Sequence, residues 1–371
     1  MMPPDPGPFA NAFDGNAPQL VNMGGGVLAT PKVQPIFFAN DATMQASVEQ
    51  FLGQVAGSDY WATTTGEYGV GPLTVQPTIV LADTPPTTDD ALQALLAGKF
   101  DGTHAEFGAA PDQSTIYAVF LPDGVTMSFP DGSQSCVDFG AYHDEAHTAA
   151  KQGIVYSLTP RCHGQGDSDL DEVTISTSHE LIEAATDPFV EDTGGFGDAD
   201  PDHYVWAYTP GAETGDFCEY LPGAYDKLVG DFMVQRTWSN AAATAGKDPC
   251  VPALATPYFG AEPMFTESTM IEGLTGTMTT KAAVVAVGES KTIDVVLYSD
   301  QPTAAFTVDA QELSQSPELA LSWDKTTGKN GDHLKLTIKR VKAGTLPGTE
   351  FVIIANDDQG NPRSLWWSFA N

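Results

Sequence analysis

Apolar residues along this chain fall into two textures, and the change comes near residue 250. Before it, short apolar runs alternate with stretches of helical spacing. KVQPIFFAN (32–40) has the run of a strand. TMQASVEQFLGQV (43–55) then repeats Met44, Val48, Phe51, Leu52 and Val55 at the interval of a helix. PTIVLAD (77–83) predicts a strand and TTDDALQALLAGKF (87–100) a helix opened by Thr and Asp caps. STIYAVFLP (114–122) and GIVYSLTP (153–160) predict two further strands, and a helix through His179 stops at Asp187-Pro188. Strands alternating with helices argue for an α/β layer structure. Beyond Cys250, PALATPYFGAEPMF (252–265) reads as a Pro-rich connector. After it only alternating strands follow, at 291–299, 305–313, 319–324, 333–341, 349–357 and 364–371. Gly, Pro, Asn and Asp turns at that spacing predict an immunoglobulin-like sandwich. The expected organisation is a loose N-terminal arm at 1–20, rich in Pro, Gly and Asn, an α/β domain at 21–258, and the all-β domain at 259–371.

Composition narrows the partners. The formal charge of the 371 residues is -33. Residues 1–259 hold 7 basic and 35 acidic side chains, residues 260–371 hold 9 and 14. So acidic a surface repels nucleic acid and anionic membranes and favours basic peptides or divalent cations. No run of about eighteen apolar residues predicts a membrane span. The first residues lack the basic and apolar regions of a leader peptide, so either the protein stays inside or a leader has been removed. Four cysteines without a Cys-x-x-Cys spacing favour two disulfides over a thiolate metal site, and an exported protein over a cytosolic one.

The densest chemistry is His179-Glu180-Leu181-Ile182-Glu183. On a helix His179 and Glu183 lie one turn apart on the same face and can share a metal ion. Glu180 sits about 100° round, where it reaches a metal-bound water without being a ligand. This is the His-Glu-x-x-His pattern of zinc peptidases with a carboxylate as second ligand, which zinc accepts at about 2.0–2.2 Å. A catalytic zinc needs a third ligand, and Glu213-Thr214-Gly215-Asp216 is the best source. Asp216 is preferred, then Glu213, then His143. Glu180 would be the general base in peptide-bond hydrolysis, with His143, His203 or Tyr204 as donor to the developing oxyanion. The competing reading makes these acids turn caps or partners of Arg236. His143-Asp-Glu-Ala-His147, polar and without an apolar stripe, reads as a loop holding a second possible metal pair. Two alternating acidic strings invite calcium: Asp167, Asp169, Asp171 and Glu172, and Asp198, Asp200 and Asp202. Asp171 and Glu172 are equally explained by the helix N-terminus.

Residues 21–253 resemble the plant exordium (phosphate-induced protein) family and its bacterial and fungal relatives. The likeness runs through GGGVLATPKVQPIFFAN, VEQFLGQVAGSDYWATTTGEYG, Cys136 with Tyr142-His143-Asp144 and Cys162, GQGDSDLDEVTISTSHELIEAATDP, ETGDFCEY and FMVQRTWSNAAATAGKDPC, in family order. The resemblance implies a secreted protein with a zincin-like core and disulfides Cys136–Cys162 and Cys218–Cys250. Plant members are known as growth-related wall proteins, so a non-catalytic wall-associated, carbohydrate- or protein-binding role stands beside the peptidase reading. The chain departs from the plant pattern at EDTGGFGDADPDHYVWAY (191–208) and in the appended sandwich.

Overall fold

The computed structural model describes residues 9–39, 41–163, 168–273, 276–314, 316–344 and 348–371. In the first half the elements alternate as β1 (Lys32–Phe38), α1 (Ala42–Ala56), α2 (Asp89–Gly98), β2 (Thr115–Phe120), β3 (Tyr142–His147), β4 (Gly153–Thr159) and α3 (Asp169–Thr186). They build a six-stranded sheet in the order Thr74–Val75, β1, β2, β4, β3, with Ile79–Leu81 pairing the far end of β1. All pairs are parallel except β3, which runs antiparallel along the edge of β4. Strands buried on both faces need apolar residues on both, and β1 supplies Val33 and Phe37 to one side, Ile36 and Phe38 to the other. On the first face Val48, Phe51 and Leu52 of α1 and Leu181 and Ile182 of α3 complete the core. On the second, Leu92 and Leu96 of α2 cover Val119, Ile154 and Leu158.

Helix α3 begins where Ser168 Oγ accepts from the Asp171 amide at 3.2 Å, with Asp169, Asp171 and Glu172 in the first turn favouring the positive helix end. It ends at Asp187, ahead of Pro188. Most of its length is buried, so its polar residues must find partners inside the fold.

The second half is all β. Strands β5 (Phe259–Pro263), β6 (Ser290–Ser299), β7 (Phe306–Glu312), β8 (Leu319–Trp323), β9 (His333–Arg340), β10 (Thr349–Asn356) and β11 (Pro362–Ala370) form two antiparallel four-stranded sheets. One is ordered β5-β6-β9-β8, the other Thr327–Gly328, β7, β10, β11. Period-two alternation turns Val295, Leu297, Leu334 and Leu336 inwards against Val308, Phe351 and Phe369. The fold is thus a mixed α/β layer structure joined to an all-β sandwich.

Three local expectations change. Residues 142–147 are an edge strand rather than a loop. The connector at 252–265 contains β5, which pairs with β6 from Phe259↔Ser299 to Pro263↔Val295. Residues 9–20, expected as a loose arm, are tied down: Asn11 Nδ2 donates to Gly246 O at 2.8 Å, Ala12 N to Asn330 Oδ1 at 3.0 Å, and Phe13 packs 4.7 Å from Tyr298. Their Pro, Gly and Asn content serves an extended path that hydrogen-bonds to other segments. Residues 1–8 lie outside the described part. Among the described residues no helix is long and apolar enough to cross a membrane.

Candidate metal centre

The disulfides are Cys136–Cys162 and Cys218–Cys250, the pairing the resemblance implies. The second ties the short helix Asp216–Glu219 to the strand Cys250–Val251. That fixes the loop 213–216 against α3. There Gly215 N donates to Glu183 Oε1 at 2.8 Å and Asp216 N to the same oxygen at 3.2 Å. A Cβ on Gly215 would stand 2.7 Å from His179 Nδ1 and 2.8 Å from Glu183 Oε1, so the approach needs glycine.

The result is a compact donor set. His179 Nε2 lies 2.9 Å from Glu183 Oε2 and 3.7 Å from Asp216 Oδ1, and one ligand atom from each falls within 4.8 Å of the others. Atoms bound to a tetrahedral zinc at 2.0–2.2 Å stand about 3.3–3.6 Å apart, so these side chains fit one ion with small adjustments. The other ring nitrogen, His179 Nδ1, faces Gln235 Oε1 at 2.9 Å, and Gln235 Nε2 donates to Gly215 O at 2.7 Å. Gln235 was not a candidate from the sequence, because nothing in FMVQRTW distinguishes it.

His143 arrives from β3. Its Nδ1 is 3.4 Å from Glu180 Oε2 and 3.9 Å from Glu183 Oε2, while Nε2 is 3.1 Å from the Asp187 carbonyl and 3.6 Å from Glu213 Oε1. His143, Glu183 and Glu213 thus make a second, overlapping donor set around the shared Glu183. Burial opposes charge on His143, but Glu180 beside it and the charges of Glu183 and Asp187 win, raising its pKa to about 9. The same contest at His179 ends well above the usual imidazole range through Glu183. Burial alone would raise Glu183; the ion pair with His179 holds it below the usual carboxylate range. Asp216 goes the other way, up to about 8, through burial and then the Glu183 charge. Glu213 rises well above its ordinary value through burial and the charges of Glu183 and Asp216. A cation bound among these groups would favour their charged forms.

His179, Glu180 and Asp216 line a cleft of about 270 Å³ whose walls also include Ile175, Tyr220 and Tyr225. An apolar hollow of about 250 Å³ opens on the sandwich beside Tyr208, Ile271, Leu313 and Phe369, away from the ligating cluster. We take the His179 cleft as the functional one, since it is lined by histidine and carboxylate residues of a cluster whose ligand atoms meet within 4.8 Å.

Other candidates lie elsewhere. His203 pairs with Asp200 at 3.0 Å and packs on Trp366, and Tyr204 is buried in the sandwich-side core. Of the three proposed oxyanion donors only His143 is at the centre. Arg236 pairs with Asp248 and donates to Gly223 O at 3.0 Å, so it does not neutralise the 213–216 acids. Asp198, Asp200 and Asp202, the string expected to invite calcium, each have local partners. Asp198 Oδ1 accepts from Ala199 N at 2.7 Å, Asp200 accepts from Gln19 N at 2.8 Å and Asp202 N at 3.1 Å, and Asp202 faces Lys281 at 3.9 Å. Local backbone donors and a lysine occupy these carboxylates, and among the described residues they form no common ligand set. In the other string, Asp169 pairs with His163 at 2.8 Å and Asp171 with Ser168 at 3.0 Å, while Asp167 lies outside the described residues.

No protein-family model matches the chain, and no curated protein does. Similar solved structures include domains 4 and 5 of the S-layer protein SbsC, at 14% identity and a TM-score of 0.19, covering 30% of this chain and 53% of that one. A conjugative transposon lipoprotein from Bacteroides eggerthii DSM 20697 is 15% identical over 30% of this chain and 96% of its own, with a TM-score of 0.21. A Porphyromonas gingivalis W83 protein of unknown function is 15% identical over 41% and 81% of the two chains, with a TM-score of 0.17. The chain spans about half the length of the S-layer structure, and TM-scores this low carry no argument about fold or activity.

Proposed function

We propose that the protein is an extracellular zinc-dependent peptidase with a zincin-like α/β domain and an immunoglobulin-like sandwich, similar in its first domain to the exordium family. The observation that carries this reading is the meeting of His179, Glu183 and Asp216 within 4.8 Å, with His179, Glu180 and Asp216 lining an open cleft. Two disulfides support an oxidising compartment. Bound zinc would act as a Lewis acid and lower the pKa of its water to about 7. His179 would hold the ion through Nε2 while Gln235 fixes the ring, with Glu183 and Asp216 as carboxylate ligands. Glu180, 4% exposed, takes the proton of the attacking water and returns it to the leaving amine. His143, its Nδ1 3.4 Å from Glu180 Oε2, holds that carboxylate in place.

Glu180→Gln is the test. The variant should keep its zinc and its fold and lose about 10²–10⁴-fold of the hydrolysis rate on unfolded protein substrates. Wild-type turnover by a zinc-loaded Glu180→Gln protein refutes the peptidase. One observation favours the second reading, a non-catalytic wall-associated binder. Glu183 already accepts from two amides through Oε1 and faces His179 through Oε2, so the helix and loop are tied together without a metal. On that reading the purified protein carries no zinc at His179, which elemental analysis of wild type and His179→Ala decides.

A further inference from the structure

The antiparallel edge strand β3 turns His143, Glu145 and His147 to one face. Four residues along a strand span about 13 Å, so His143 and His147 cannot share one ion. His143 serves the His179 cluster, which leaves Glu145 and His147 to be explained. We propose that Glu145, His147 and Asp192 form a second divalent-cation site, of the kind zinc occupies, which fastens the segment after α3 to the sheet edge.

The geometry has the right scale. His147 Nε2 is 3.5 Å from Glu145 Oε1 and 3.4 Å from Asp192 Oδ2, and one ligand atom of each residue lies within 4.8 Å of the others. Those separations match the edges of a tetrahedron around zinc, about 3.3–3.6 Å. An independent observation concerns Glu145 itself. Its side chain is fully buried, and neither carboxylate oxygen has a hydrogen-bond partner among the described residues. The Asp192 amide comes near it without completing a bond. Buried carboxylates without donors are rare because the lost hydration is not replaced, and a cation replaces it fully. The remaining ligands provide access: the His147 side chain is 30% exposed and that of Asp192 68%. One imidazole and two carboxylates leave a position for water and suit zinc or manganese better than a soft cation.

Such an ion would work as a staple. Asp192 belongs to the segment between α3 and Phe196–Ala199, which is otherwise held by contacts such as Thr193 N to Phe189 O at 3.1 Å and Gly25 N to Gly194 O at 2.8 Å. The segment starts at Asp187, whose carbonyl meets His143, so the staple also steadies that wall of the first centre. The proposal does not depend on what the His179 centre does.

The test uses the full chain, stripped with a chelator and titrated with zinc chloride by calorimetry, with elemental analysis after gel filtration. Whether or not the His179 centre is loaded, wild type should bind one zinc ion more than His147→Gln, and His179→Ala one more than the double variant, each with native circular dichroism. Glu145→Gln should also lose one ion, yet its metal-free form should melt no lower than metal-free wild type, because the unpartnered carboxylate is gone. Protease cleavage within 188–195 should be at least several-fold faster in zinc-treated His147→Gln than in zinc-treated wild type. Unchanged stoichiometry and affinity in both Glu145→Gln and His147→Gln overturn the site. So does loss of all binding in His179→Ala, or a second site weaker than millimolar.

Discussion

Gln235 spends both ends of its amide at the candidate centre, one on His179 Nδ1 and one on the Gly215 carbonyl. An acceptor at Nδ1 fixes the proton there and leaves Nε2 free for a cation, and the second bond locks the amide in that orientation. Gln235→Leu is therefore expected to keep the fold and weaken zinc binding about 10–100-fold. Competition against a chromophoric chelator measures it, and an unchanged affinity removes Gln235 from the site. At this scale the sequence was legible where the partners sit within one helical turn. His179, Glu180 and Glu183 needed only the helix period. The glycine between Glu213 and Asp216 could be read as permitting a close turn, but the side chains it must clear belong to α3.

Among the elements, the ones that escaped sequence reading share a cause: their alternation is written in polar residues. Strand β3 turns His143 and Glu145 inwards, so the usual apolar alternation of a half-buried strand is missing. Strand β5 hides behind its prolines and Glu262, whose side chain is buried with neither oxygen hydrogen-bonded among the described residues. Burial, then the Asp14 carboxylate opposite, push the Glu262 pKa from 4.5 to about 9. The folded chain therefore keeps a proton that the unfolded chain releases. Glu262 contributes stability that is complete below pH 4.5 and is lost as the pH rises towards about 9. Glu262→Gln should raise stability at pH 8 by on the order of 2 kcal/mol and flatten that decline. Urea unfolding of both proteins at pH 5 and pH 8 checks it, and an equal difference at the two pH values contradicts the assignment.

For the molecule as a whole, the sandwich and the α/β domain share a core. Trp206 packs 5.2 Å from Trp238 and 6.1 Å from Trp366 of β11, and Phe217 lies 5.2 Å from Trp238. The sandwich thus backs the segment that carries Asp216, and Trp206 of the stretch after α3 makes that contact. Charge acts at the same scale. With 35 acidic against 7 basic side chains in residues 1–259, the cleft should sit in a negative field whose reach at 0.15 M salt is only about 8 Å. On the peptidase reading, peptides with Lys or Arg near the scissile bond should be cleaved faster than acidic ones, and the preference should shrink as salt rises. Profiling a peptide library at low and high ionic strength tests this. Equal cleavage of acidic and basic peptides at both salts contradicts steering and leaves the metal centre untouched.

What the sequence determined by itself was whatever depends on neighbours a few residues away. That includes the alternation of strands with helices, the long strands beyond residue 290, the capping acids of α3, and the single-turn geometry of His179, Glu180 and Glu183. Bond lengths and helical rise fix these before any packing occurs. The meeting of that turn with Asp216, His143 and Gln235 was decided only by tertiary structure, as was the clustering of Glu145 with His147 and Asp192. Their separations along the chain carry no periodicity. Sheet order, a disulfide-held loop and the crossing of α3 over the sheet bring them within a few ångströms.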